Sequence, residues 1–364
     1  MRNHITRLFA AMLFPVAAAM AAAQPSARPS TPQAAGRQTG SSPAAPASQQ
    51  PQAQAIEQSS FSDLQPPASP AAPNPAAPQP VVIKVETLLD RAHFSPGVID
   101  GKPGENLDNA IAAYAKAHKL PGNGGLTAQV FAALASADKQ PVTQDYTITP
   151  DDEKGPFIGT LPSDFAAQAA LGQLGYLSPE QELAERFHMS EALLRALNPG
   201  ANFGAAGTSI VVLQPGNGDL GGSVAQVEVD KSNNQLRAYD GSGKLVAAFP
   251  ATVGSTERPA PDGTWAVAFV TFNPDYTYDP KRLTFGKKSE GPLKIAPGPN
   301  NPVGSTWIQL TKPTYGIHGA PDAQLVGKTA SHGCIRLTNW DATALGRAVR
   351  KGTQVVFHGE TTKG

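Results

Sequence analysis

The chain has 364 residues, and its 29 Lys+Arg balance its 29 Asp+Glu, which leaves no whole-chain electrostatic pull on a nucleic acid. It holds one cysteine, Cys334, so an intramolecular disulfide is excluded. The balance is uneven along the chain. Val224 to Gly364 carries 16 basic and 11 acidic residues, a mild positive surplus that suits a carboxylate-bearing substrate.

The first residues set the expected compartment. Arg2 and Arg7 precede an apolar run from Leu8 to Ala23, which ends in the small residues Ala21-Ala22-Ala23. This is the pattern of a secretory signal over residues 1–23, with Gln24 as the expected mature N-terminus. The run is short and broken by Pro15, so it is not read as a spanning helix, and no other segment is apolar and long enough to cross a bilayer. The expectation is a protein of the periplasm or cell wall, without a membrane span in its mature form. Gln24 to Pro80 holds 13 Pro, 13 Ala and 10 Gln among its 57 residues. Such a composition buries too little apolar surface to offset its ordering entropy, so 24–80 reads as a disordered tether.

Helical spacing begins near Val81. Val82, Val85, Leu88 and Leu89 share a stripe, then Leu107, Ala110, Ile111 and Tyr114, and Thr127 can cap a third short helix holding Val130 and Leu134. Residues 81–137 thus read as a three-helix unit. The stretch "LLDRAHFSPGVIDGKPGENLDNAIAAYAKAHKLPGNGGL" resembles the small helical peptidoglycan-binding domain, although the glutamines usual in that family's long helices are missing. A second unit spans 144–216. "YTIT" reads as a strand, "ELAERFHMSEALLRALNPG" as two helices, the second capped by Ser190, and "TSIVVLQP" as a closing strand. This order is similar to a LysM glycan-binding module, with about thirty inserted residues between the first strand and the helices.

From Val224 to Gly359 the texture becomes mostly β. "VAQVEVD", "QLRAYD" and "KLVAAFPATVG" form a meander, "GTWAVAFVTF" and "TWIQL" add strands, and "TQVVFHG" closes the domain. One helix is evident. Thr338 and Asp341 have capping-box-like spacing, and Gly352 is placed to stop a helix running to about Lys351.

The chemistry centres on "SHGCIR", Ser331 to Arg336. A lone cysteine is by default a small buried hydrophobe. Here Gly333 allows a substrate carbonyl close to the backbone, and Ser331 and His332 add polar groups. A cysteine nucleophile needs a base, since a thiol is mostly protonated near neutrality. His318 lies sixteen residues upstream in "TYGIHGAP", where Gly316, Gly319 and Pro321 forbid one continuous helix, and His332 is a rival base. Backbone N–H groups around Gly333 and Cys334 can form an oxyanion hole. His318, His332 and Cys334 are also a conceivable zinc set, but no CxxC pair accompanies them and acidic or histidine partners are not clustered nearby.

The stretch "IHGAPDAQLVGKTASHGCIRLTNWDATAL" resembles the YkuD-type (ErfK/YbiS-like) L,D-transpeptidase signature. The upstream "LKIAPGPNNPVGSTWIQL" and "FPATVG…PAPDGTWAV" match in the same order. The resemblance implies a mostly-β catalytic domain, sandwich- or barrel-like, over 224–359. It implies Cys334 as nucleophile, His318 as general base oriented by the Gly319 carbonyl, Ser331, His332 and Gly333 as loop and oxyanion support, and Arg336 as a partner for a stem-peptide carboxylate. No metal or organic cofactor is implied. The expected partners are peptidoglycan stem peptides and glycan strands. An L,D-carboxypeptidase or lipoprotein-attaching enzyme of the same fold, or a non-catalytic wall-binding protein, stands as the alternative. Ala320 and Ala260 occupy positions where that family often has threonine.

Overall fold

The computed structural model describes residues 50–64, 77–122, 124–255, 259–281, 289, 291–329, 331 and 333–360. The expected signal peptide lies outside the described residues, as does most of the Pro/Ala/Gln-rich stretch.

Part of that stretch is ordered, which corrects the expectation of a tether throughout 24–80. Gln50–Gln58 forms helix α1. Ile56 is 1% exposed and joins the core of the following helices. Glu57 Oε1 accepts hydrogen bonds from Thr143 N at 2.7 Å and Thr143 Oγ1 at 2.6 Å. Lys84 Nζ donates to the carbonyls of Glu57 and Ser59. Composition averages over a segment, whereas one isoleucine and two backbone carbonyls docked on a neighbour suffice to order it.

The three expected helices follow as α2 (Pro80–Arg91), α3 (Glu105–Ala117) and α4 (Ala128–Ala137). Thr127 caps α4 by accepting from Val130 N. Strand β1 (Thr143–Thr147) pairs antiparallel with β2 (Ser209–Leu213), and between them lie α5 (Pro150–Lys154), α6 (Phe165–Ala169), α7 (Pro179–Arg186) and α8 (Glu191–Leu197). Sequence suggests two units here, 81–137 and 144–216, but their side chains fill one core. Leu89, Ile111 and Leu134 from the first and Leu183, Leu194 and Val212 from the second belong to the same buried cluster.

The β region holds β3 (Gln226–Asp230), β4 (Gln235–Tyr239), β5 (Leu245–Pro250), β6 (Thr252–Val253), β7 (Gly263–Phe272), β8 (Tyr276–Tyr278), β9 (Leu293–Ile295), β10 (Thr306–Leu310), β11 (Gly316–His318), β12 (Ile335–Arg336), helix α9 (Asn339–Ala348) and β13 (Gln354–His358). Nine strands form one sheet in the order β5-β4-β3-β13-β7-β10-β11-β12-β6. Its two edge strands, β5 and β6, are separated in the chain by Ala251 alone. Adjacent Cα atoms lie about 3.8 Å apart, so the sheet must curl until its ends nearly meet. The result is a barrel-like, nearly closed wall around Val227, Leu236, Ile308, Ile317 and Ile335, all inaccessible to solvent.

The free side of β5 is not left open. Phe94 bridges Ala248, and His93 O and Ser95 N exchange hydrogen bonds with the Ala248 backbone at 2.9 Å each. The loop after α2 thereby covers an edge that would otherwise invite pairing with another chain. Helix α9 starts where the capping pattern places it, with Thr338 Oγ1 accepting from Asp341 N at 3.1 Å. It ends at Ala348 rather than near Lys351, because Val349 turns to an extended conformation, φ −86° and ψ 159°. Among the described residues no helix is long and apolar enough to cross a membrane.

Candidate functional site

Strands β11 and β12 are parallel neighbours, with Ile317 opposite Ile335 and His318 opposite Arg336. Alternation along a strand sends successive side chains to opposite faces. Ile317 and Ile335 point into the barrel core, each with no exposure. His318 and Arg336 therefore share the other face, and Cys334 sits in the bend immediately before β12. On that face Trp307, the register partner of His318 in β10, stacks on its ring with centroids 5.4 Å apart and 25° between planes.

His318 is 4% exposed. Its Nδ1 lies 2.7 Å from the carbonyl oxygen of Gly319. A carbonyl only accepts, so Nδ1 carries the proton and Nε2 is left with the basic lone pair. Burial, then the charge of Arg336, push the imidazole down to about 3, against the Gly319 carbonyl, which raises it. The partly buried Cys334 thiol is pushed up by burial, while a backbone hydrogen bond at Gly316 and the charge of Arg336 act to lower it. Its sulfur lies 3.8 Å from the Thr314 carbonyl oxygen. Both shifts favour the uncharged forms, a thiol at Cys334 and a neutral imidazole at His318.

The loop before Cys334 is held by the Ser331 hydroxyl. It accepts from Gly254 N at 2.7 Å and from Gly333 N at 3.2 Å, and donates to Cys334 O at 2.6 Å. Gly333 has φ +108°, where a side chain is strained, and a Cβ there would also lie 3.2 Å from the Tyr315 ring. The Gly333 N–H is thus engaged by Ser331 and is not an open oxyanion donor. His332 lies outside the described residues.

Two residues at the site carry no signal in the sequence. Asn339, the first residue of α9, abuts Gly319, where a Cβ would fall 2.2 Å from Asn339 Oδ1. That oxygen accepts from Ser305 N at 3.0 Å, and Nδ2 donates to Pro299 O at 3.1 Å. Tyr276, in an ordinary-looking "YTY" strand, interacts with both Cys334 and Arg336. Burial, followed by the Cys334 charge, drives its hydroxyl up to about 12, so it stays protonated. Among the described residues no group of three or more His, Cys, Asp or Glu is arranged to hold a metal ion.

A cleft of about 260 Å³ is lined by Arg336, Thr252, Ala320, Pro321 and Val326 and also by Leu161, Phe165 and Gln168.

Residues 225–357 match the YkuD family, described as the L,D-transpeptidase catalytic domain. A Bacillus licheniformis protein provisionally named the L,D-transpeptidase YkuD is 30% identical over 177 residues, covering 48% of this chain and 90% of that one. The chain belongs to the YkuD L,D-transpeptidase family. Another protein with a provisional L,D-transpeptidase name, YqjB of Bacillus subtilis, is 33% identical over 136 residues, 36% of this chain and 69% of that one. A crystal structure of an Enterococcus faecium L,D-transpeptidase mutant is 22% identical with a TM-score of 0.29 over 38% of this chain; the chain spans half the length of that protein, too distant a likeness to carry weight. The L,D-transpeptidase domain thus supplies His318, Cys334, Arg336 and Asn339. Leu161, Phe165 and Gln168 reach the cleft from outside it.

Proposed function

We propose that the protein cross-links peptidoglycan stem peptides through a thioester on Cys334. Cys334 Sγ attacks the carbonyl of the third stem residue, at its L-centre, as His318 Nε2 takes the thiol proton. Because the resting pair is neutral, the proton moves as the S–C bond forms, without a stored thiolate. Backbone N–H groups of the loop, that of Cys334 foremost, hold the tetrahedral oxygen. Collapse expels the terminal D-Ala, whose amine takes the proton from His318. An amine of a second stem then loses a proton to His318, attacks the thioester and restores the thiol. Arg336, a planar fork two residues from the sulfur, takes a stem carboxylate. The chemistry asks for no metal or organic cofactor.

We assign residues 1–23 to a secretory signal, which places the reaction in the periplasm or wall. The helical and LysM-like segments keep the enzyme near its polymeric substrate and raise the local concentration of stems.

The observation that carries this reading is the Nδ1–Gly319 contact, which leaves Nε2 as the basic nitrogen of His318, on the strand paired with the one that Cys334 leads into. Incubation of the purified chain with tetrapeptide muropeptides, followed by mass analysis, tests it. A joined dimer is the expected product. A shortened tripeptide alone makes the protein an L,D-carboxypeptidase, and unchanged substrate makes it a wall-binding protein. Cys334→Ala abolishes either activity.

A further inference from the structure

Three residues that line the cleft, Leu161, Phe165 and Gln168, come from the segment between β1 and α7, which belongs to the LysM-like part of the chain. The segment is fastened to the transpeptidase domain at Leu174. Leu174 N donates to Pro297 O at 2.9 Å, and Leu174 O accepts from Asn300 N at 3.0 Å. Gly298, at φ +145°, lies so near that a Cβ would fall 2.1 Å from Leu174 O, so the contact requires glycine there. Phe165 of α6 packs its ring on Tyr278 at 4.7 Å and on Tyr276 at 6.0 Å, and Tyr276 in turn neighbours Cys334 and Arg336.

Gln168, also on α6, is 6% exposed. Its Nε2 donates to Pro162 O at 2.7 Å. Since that carbonyl only accepts, the contact settles which end of the amide is nitrogen. Gln168 Oε1 is buried and has no hydrogen-bond partner. A buried acceptor left unpaired is costly, and native proteins keep few of them. Gln168 and Arg336 both line the same cleft.

We propose that α6 is a wall of the substrate subsite, in which a peptide with its carboxylate on Arg336 donates an N–H to Gln168 Oε1 while Leu161 and Phe165 cover its apolar side. The inference rests on the reading that this cleft takes a stem peptide. The oxygen is enclosed, so the peptide reaches it by displacing α6, a helix of five residues, slightly. Peptide selection is thereby shared between the transpeptidase domain and a segment outside it.

Calorimetric titration of the full chain bearing Cys334→Ala with a tetrapeptide muropeptide tests the assignment. Adding Gln168→Met removes the acceptor and raises Kd about tenfold, the value of one hydrogen bond. Gln168→Asn keeps an amide, with both an acceptor oxygen and a donor for the Pro162 carbonyl, and holds Kd within about threefold. In the active chain Gln168→Met raises KM with little change in kcat, and alkylation of Cys334 by iodoacetamide keeps its rate. An unaltered Kd in the Met variant, or equal weakening by Met and Asn, overturns the proposal. Tight binding that depends on Gln168 without turnover overturns the transpeptidase reading alone. Turnover with a Kd indifferent to Gln168 overturns this one alone, and absence of both binding and turnover overturns both.

Discussion

Glu185 of α7 accepts hydrogen bonds from Asn339 Nδ2 at 3.1 Å and 3.3 Å, which joins the segment between β1 and β2 to the residue that abuts Gly319. Through Gly319, whose carbonyl holds His318, this contact reaches the candidate base. The joint is rich in titratable groups. His188 stacks on Trp340 and lies 3.1 Å from both Asp90 oxygens, and Asp341 accepts from Ser95 Oγ at 3.0 Å.

Stability should fall as pH rises through neutrality. Burial lifts Glu185 to about 7, and burial with the nearby Asp90 lifts Asp341 to about 7. Burial acts to lower His188, but the charge and hydrogen bond of Asp90 outweigh it and raise the imidazole. All three folded-state values exceed the unfolded ones, so these three groups bind more protons in the folded chain, while His318, at about 3, acts the other way below its ordinary 6.5. Their contribution is fully present below about pH 4 and is lost as pH climbs through about 7. Thermal melts should show a Tm higher at pH 5 than at pH 8 by roughly 5 °C. Glu185→Gln should flatten that slope, and a Tm that rises across the window refutes the assignment.

Gly319 and Asn339 should be coupled. Gly319→Ala drives a methyl to within 2.2 Å of Asn339 Oδ1 and disturbs the carbonyl that holds His318. Loss of about 2 kcal/mol of stability and at least about tenfold in kcat is expected. Adding Asn339→Ala removes the obstructing atom, so the double variant should be less damaged than the two single losses combined predict. Strict additivity in melts and kinetics would place the strain elsewhere.

The thiol should react as a thiol. With burial holding the Cys334 thiol up and His318 at about 3, the iodoacetamide rate should climb with pH without a plateau near pH 6. Turnover should keep its acid limb well below the 6.5 of an ordinary histidine. His318→Asn should abolish turnover yet leave alkylation at high pH within about twofold, since hydroxide then removes the proton. A reactive plateau at mildly acid pH would instead mean a preformed thiolate–imidazolium pair.

Helix α1 should be part of the stable fold. Ile56 is 1% exposed, so Ile56→Ala should cost about 2–4 kcal/mol and lower Tm measurably. A neutral result would return this segment to the tether that its composition suggests.

Much of the site was legible before any coordinates. "SHGCIR" and "TYGIHGAP" marked Cys334 and His318 as candidates, and the strand texture of 224–359 together with Thr338 located the sheet and its helix. These are local properties: side-chain chemistry, alternation and capping act over a few neighbouring residues. Tertiary structure decided the rest. That His318 lies opposite Arg336, on the strand beside the one that Cys334 leads into, follows from the parallel register of β11 and β12, a pairing that local sequence does not encode. That Gly319 must be glycine follows from Asn339, and that Phe165 and Gln168 line the cleft follows from Leu174 docking on Pro297 and Asn300. The order of α1 is likewise set by the core it enters. Such contacts depend on which surfaces meet after folding, and the residues on one side hold no local mark of the residues on the other.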